Sequence, residues 1–142
     1  MFSHILLASD GSECALKAAA AAAALAYKFD SRLTLINVFQ PSPCIAPYGE
    51  MYSVGMDDSY IAYLQNDAIC NAGRVVDDHD VPYQSRKETG NPAAEIIRIA
   101  EEEGCDLIVL GSRGLNAVAS FFLGSVSDRV THHAHCPVLI IR

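Results

Sequence analysis

Cys105-Asp106-Leu107-Ile108-Val109-Leu110-Gly111-Ser112-Arg113-Gly114 is the stretch from which the fold is read. Its centre, Leu107 to Leu110, is an unbroken apolar run stopped by glycine and serine. Such runs suit strands covered on both faces, as in a parallel sheet with helices on either side. Just upstream, Gly90-Asn91-Pro92 predicts a helix start, with Asn91 as cap and Pro92 in the first turn. Ile96, Ile97, Ile99 and Ala100 supply that helix's buried face, and Gly104 ends it. Downstream come a glycine-containing loop from Gly111 to Gly124, a short helix from about Ser125 to Ala134, and a last strand from Val138 to Arg142.

The same alternation runs back to the start of the chain. His4-Ile5-Leu6-Leu7-Ala8 is a second short apolar run, ended by the turn residues Ser9-Asp10-Gly11-Ser12. Ser12 offers a cap to a helix that runs to about Phe29, and Glu13 places a negative charge in its first turn. The alanine run Ala18 to Ala24 has the highest helix propensity and a thin face, which lets the helix sit close to a sheet. Arg32 to Phe39 reads as a strand, 40–55 as an irregular loop with Pro41, Pro43, Pro47 and Gly49, and about Asp57 to Asp78 as a helix. Val81 to Glu88 reads as a weaker strand. Strands alternating with helices in this way predict one α/β domain over residues 1–142, three layers deep around an open parallel sheet. Ligands of such sheets sit beyond the carboxyl ends of the strands where the strand order reverses, which here means Ser9-Asp10 and the residues from Gly111 onward.

Composition narrows the function. The 142 residues are 51% hydrophobic and 19% charged, which is globular rather than disordered. A net charge of −7 argues against a nucleic-acid partner or an anionic membrane surface, yet leaves room for one phosphate ligand held by backbone N–H groups. Cys14, Cys44, Cys70, Cys105 and Cys136 are scattered with no C-x-x-C pair, so they suit a reducing interior and read mostly as small buried hydrophobes. No apolar run approaches the length of a membrane span, and the first residues lack an export signal's basic start, so the expected location is cytoplasmic.

The chemistry gathers in Gly111-Ser112-Arg113-Gly114, nine residues, and Gly124-Ser125-Val126-Ser127, the pattern G-x2-G-x9-G-S. It begins where a strand ends and finishes at a helix N-terminus. Glycines there let the backbone come close to an anion, and the helix's first N–H groups point at it. Ser125 and Ser127 add hydroxyls, and Arg113 adds a cation. This predicts a polyphosphate cradle; the competing reading is a flexible loop with a serine capping the last helix.

These segments, in order along the whole chain, together with Cys136-Pro137-Val138-Leu139, resemble the universal stress protein family and its nucleotide-binding subgroup, which keeps G-x2-G-x9-G-[ST]. The resemblance implies a five-stranded parallel sheet in the order 3-2-1-4-5 with four helices, an adenine nucleotide alpha hydrolase-like fold, and a homodimer formed through the last strand. It implies ATP as ligand, with any Mg²⁺ held mainly by phosphate oxygens and waters. Gly111, Arg113, Gly114, Gly124, Ser125, Val126 and Ser127 would then surround the phosphates and ribose. Asp10 would face the ribose or a phosphate-bound metal, Ser9 would line the pocket, and Val38 would offer its backbone N–H and C=O to the adenine edge.

Other candidates are weaker. His132, His133, His135 and Cys136 look like metal ligands but fall where a helix exits to a strand, and read as structural. Tyr48, Tyr52, Tyr60 and Tyr63 read as loop packing, Phe121 and Phe122 as core or dimer contacts, and Glu101-Glu102-Glu103 as a solvated helix end. Neither a Walker lysine motif nor G-x-S-x-G nor H-E-x-x-H occurs. The expected function is therefore an ATP-binding stress-response module in which the nucleotide is a signal or structural ligand, acting on a protein partner the sequence does not name. The alternatives are a slow ATPase or other adenylate-handling enzyme of the same fold, and a nucleotide-free interaction dimer.

Overall fold

The structure is a computed structural model and describes residues 1–41, 44–45, 51–52, 57–114 and 123–142. In chain order the elements are β1 (His4–Ala8), α1 (Glu13–Phe29), β2 (Arg32–Phe39), β3 (Cys44–Ile45), β4 (Met51–Tyr52), α2 (Asp58–Asp77), β5 (Tyr83–Thr89), α3 (Pro92–Glu102), β6 (Leu107–Gly111), α4 (Ser125–His133) and β7 (Val138–Ile141). Five strands form one sheet, β5-β2-β1-β6-β7, with every pairing parallel. Counting the strands of this sheet alone, that is the order 3-2-1-4-5.

Alternation along the central strands explains their unbroken apolar runs. Ile5 and Leu7 of β1 and Leu107 and Val109 of β6 face α1 and α2, where they meet Ala18, Ala22, Ile69 and Val76. Leu6, Ala8, Ile108 and Leu110 face the other way, onto Ile96, Ile99 and Ala100 of α3 and Val130 of α4. Burying each such Leu, Ile or Val contributes about 1.5–3 kcal/mol. Alanines at positions 15, 18, 19, 22, 23 and 26 of α1 are all buried, so the thin helix lies close to the sheet as expected.

Four sequence readings need correction. The 40–55 stretch is not wholly irregular: β3 and β4 pair antiparallel, Cys44 with Tyr52 and Ile45 with Met51. β5 starts at Tyr83 rather than Val81, because Pro82 has no N–H to enter the ladder. Tyr60 and Tyr63 are not covered by a loop; they stand 50% and 62% exposed on the outer side of α2 and stack on each other. Among the described thiols only Cys105 is buried, with Cys14 and Cys136 half-buried and Cys70 exposed. Phe121, Phe122, Tyr48 and the side chain of Tyr52 lie outside the described residues.

Candidate functional site

β1 and β6 run side by side, with Ala8 opposite Leu110, and β2 pairs with β1 only as far as Ile36. Beyond these strand ends opens a cavity of about 550 Å³, within the usual range of small-molecule sites. All the residues nominated from the sequence line it: Ser9, Asp10, Val38, Gly111, Arg113, Gly114, Gly124, Ser125, Val126 and Ser127.

One wall is the start of α4. The other three helices are capped by side chains, α1 by Ser12, α2 by Asp57 and α3 by Asn91. α4 is not: its N-cap is Gly124, with no side-chain hydrogen bond. The ladder begins with Asp128 N–H to Gly124 C=O, so the N–H groups of Ser125, Val126 and Ser127 have no intrahelical acceptor. They meet the cavity with the positive end of the helix dipole. A serine cap on the last helix, the competing sequence reading, is thus not what forms.

The spacing of the glycine pattern has a geometric cause. Gly124 N–H donates to Ser112 C=O at 2.6 Å, and Ser127 Oγ lies 3.0 Å from both that carbonyl and Gly124 C=O. The two ends of the intervening loop are therefore tied together at Ser112, which is buried. The single Ser127 hydroxyl proton goes to one of these carbonyls, so that hydroxyl holds the loop rather than offering its proton to the cavity. The first glycine also has a packing role. A Cβ on Gly111 would come within 2.8 Å of the Cys14 carbonyl carbon and 2.9 Å of Ala15 N, so α1 can approach β6 only where a side chain is missing.

At the end of β1, Asp10 Oδ1 accepts from Ser12 N–H at 2.9 Å, and Gly11 sits at φ +82°, so the turn chemistry of Asp-Gly-Ser is realised. Ser12 Oγ accepts from Ala15 N–H and donates to Arg113 C=O, which ties the start of α1 to the glycine loop. Ser9 N–H donates to Ile36 C=O, so Ile36 turns its peptide groups toward β1. Phe39 C=O accepts from Gly90 N–H on the opposite side. Because peptide groups alternate along a strand, Val38 directs its N–H and C=O to the same side as Ile36, where β1 has already ended. Those groups point into the cavity.

Sequence reading missed Asn37, Gln40, Gln65 and Asp67, which also line it. Buried Asn37 donates to Ser9 C=O at 2.9 Å, and buried Gln65 donates to Glu88 C=O at 2.8 Å. A polar residue inside an otherwise apolar stripe, as Gln65 is beside Leu64 and Ala68, was the available signal.

The opposite end of the sheet holds a second polar cluster. His4 Nδ1 lies 3.0 Å from Arg32 Nη2 and 3.2 Å from Glu103 C=O, and its Nε2 lies 2.9 Å from Thr34 Oγ1. Thr34 donates on to Glu103 Oε2 at 2.9 Å, and Arg86 reaches Glu103 Oε1 at 2.8 Å. Burial alone would raise the pKa of Glu103, but the hydrogen bonds from Arg86 and Thr34 and the charge of Arg86 outweigh it and hold the carboxyl below its usual range. Glu103 is therefore no part of a solvated helix end; it turns inward at the end of α3, while exposed Glu101 and Glu102 face His135, Arg86 and Arg98. Cys105 joins His4 and Glu103 to bring three ligand-type atoms within 4.8 Å of one another. Burial pushes the Cys105 thiol up to about 12, and the guanidinium groups of Arg32 and Arg86 already supply the charge a cation would bring. Among the described residues, His132, His133, His135 and Cys136 form no such group.

The model of the universal stress protein family matches residues 1–142. A universal stress protein of Thermus aquaticus is 37% identical over 142 residues, covering all of both chains. Among solved structures, this chain is similar to a universal stress protein in complex with cAMP, with a TM-score of 0.74 and 23% identity over 99% of this chain and 97% of that one. It is also similar to an Archaeoglobus fulgidus universal stress protein in complex with dAMP, with a TM-score of 0.72 and 18% identity over 100% and 98% of the two chains. At those identities the likeness establishes the fold.

Proposed function

The chain belongs to the universal stress protein family, and from that premise we propose that its cavity binds an adenine nucleotide, ATP in the fullest reading, as a signal or structural ligand. The observation that carries this reading is the uncapped start of α4 opening onto a cavity at the reversal of strand order. The N–H groups of Ser125, Val126 and Ser127, with the Ser125 hydroxyl and Arg113, would receive phosphate oxygens. Gly114 and Gly124 keep this approach clear of side chains, with Gly111 in the wall behind them. Asp10 would take the ribose hydroxyls, Ser9 would support that side, and Val38 would pair with the adenine edge through its backbone. That two similar folds hold cAMP and dAMP supports an adenylate over another phosphate ester.

Mg²⁺ fits such a site through phosphate oxygens and waters, with Asp10 as a hard oxygen group in the wall, and when bound it would neutralise phosphate charge. Among the described lining residues the carboxylates are Asp10 and Asp67, and with Asp10 assigned to the ribose side the nucleotide is read as held rather than turned over. A homodimer through β7 is part of the same proposal. That strand is at the sheet edge, and Val138, Leu139, Ile140 and Ile141 remain only half-buried. The net charge of −7 disfavours nucleic-acid and anionic membrane surfaces as partners, and no described helix is long and apolar enough to cross a membrane.

The test is a nucleotide titration of Ser125→Pro against Ser125→Ala. Proline is tolerated at the first helical position, and Gly124 at ψ 160° already has the backbone that precedes proline, so the substitution removes one N–H and leaves α4 standing. Affinity for ATP should fall about tenfold or more below that of Ser125→Ala. Equal affinities would remove the helix terminus from the site. ADP, rather than ATP, released by acid from the purified protein would favour the slow-ATPase reading.

A further inference from the structure

The charges of the cavity wall are a poor match for a bare triphosphate. Among the described lining residues, Asp10 at the end of β1 and Asp67 on α2 carry carboxylates, and Arg113 carries the one positive charge. The stretches 42–56 and 115–123 contain no Lys or Arg. The α4 terminus adds roughly half a positive charge. Together with Arg113 this balances about one phosphate group, and two carboxylates stand against any further ones. Asp67 is free of the turn duty that occupies Asp10; its carboxylate accepts from the neutral Asn71 amide at 3.2 Å.

Resting on the reading that this cavity holds an adenine nucleotide, we propose that it selects its ligand by charge, with Asp67 as the specificity-determining residue. An adenylate bearing one phosphate group, linear or cyclic, enters as it is, whereas ATP enters only as its divalent-cation complex. Each phosphate beyond the first adds negative charge that the two carboxylates repel. A divalent cation on the phosphates cancels that repulsion without asking the wall for another base.

Calorimetric titration of the full chain, stripped of ligand, tests this with AMP, cyclic AMP, ATP in EDTA and ATP with excess Mg²⁺. AMP or cyclic AMP should bind at least about tenfold more tightly than ATP in EDTA, and Mg²⁺ should recover most of that factor for ATP. Asp67→Asn keeps the shape of the side chain on an exposed helix position and should narrow the gap between ATP in EDTA and AMP about fivefold. Raising the salt concentration should narrow it in the wild type as well. ATP in EDTA binding as tightly as AMP, or a gap unmoved by Asp67→Asn, would overturn charge selection while leaving the nucleotide site in place. Failure of every adenylate to bind would overturn the nucleotide reading and this proposal with it.

Discussion

At the amino ends of the strands, Arg32, His4, Thr34, Glu103 and Arg86 hand hydrogen bonds from one to the next until every polar group has a partner. At the carboxyl ends, the first N–H groups of α4 and the peptide of Val38 point into a cavity instead. Both regions are polar patches at the ends of one apolar sheet, and both are assembled from several elements. The difference lies in who completes them. Where side chains close the network, the result is stability; where backbone donors are left facing open space, hydrogen-bonding capacity stays open, and the proposed nucleotide would use it. Richness in titratable residues is thus a poor guide to the site here. The end with His, Glu and Cys is the structural one.

The largest expected effect breaks the comparison at the seam between α1 and the cavity. Gly111→Val forces a branched side chain against the Cys14 and Ala15 backbone and should cost about 3 kcal/mol in urea unfolding, taking fold and binding down together. A stability loss below about 1 kcal/mol would show that α1 can yield. Gly114→Glu should separate the two properties. Among the described residues its Cβ meets only the Asp10 carboxylate, 2.6 Å from Oδ2, a side-chain tip that can turn aside, so stability should change by no more than about 1–2 kcal/mol, while the new carboxylate should weaken ATP binding about a hundredfold or more.

At the other end, Glu103→Ala strips Thr34 and Arg86 of a partner and should destabilise by about 1–2 kcal/mol, the partial exposure of the carboxylate limiting the loss. ATP affinity measured on that variant should stay within about twofold of wild type, since the two ends share no side chain. A larger change would mean that they communicate.

The smallest effect is a pH slope. Asp106 is shifted in the same direction as Glu103: burial would raise its pKa, but donors from Ser3 and His4 hold it below the usual range. A carboxylate with a lowered folded-state pKa stabilises fully above its unfolded value, and that contribution is lost as pH falls through the folded value. Urea midpoints measured between neutral pH and the acid range should therefore fall with acidification below about pH 4–5, and Glu103→Gln should flatten the curve. An unchanged slope in that variant would assign acid sensitivity elsewhere.

Much of this molecule could be read along the chain because its signals are local. Apolar runs at 4–8 and 107–110, caps at Ser12 and Asn91, and glycines at turns each act within a few residues of where they stand. The nominated cavity residues were legible for a related reason: in a doubly wound sheet they all follow directly on strand ends or open a helix. Gln65 and Asp67 were not, because they reach the cavity from the middle of α2, and a single polar residue on a helix does not say what it faces. Glu103 was misread for the converse reason: a run of three acids looks solvated until the end of α3 is placed against Thr34 and Arg86.

By itself the sequence determined the alternation of strands and helices, the parallel sheet, and the position of the glycine pattern at a strand end, since periodicity and turn chemistry are properties of neighbouring residues. Tertiary structure alone decided that Ser112 ties the two ends of the glycine loop together, that Gly111 is small for the sake of α1, and that the buried histidine meets an arginine and a threonine. Those outcomes depend on groups far apart in the chain, whose meeting is set by how the layers stack.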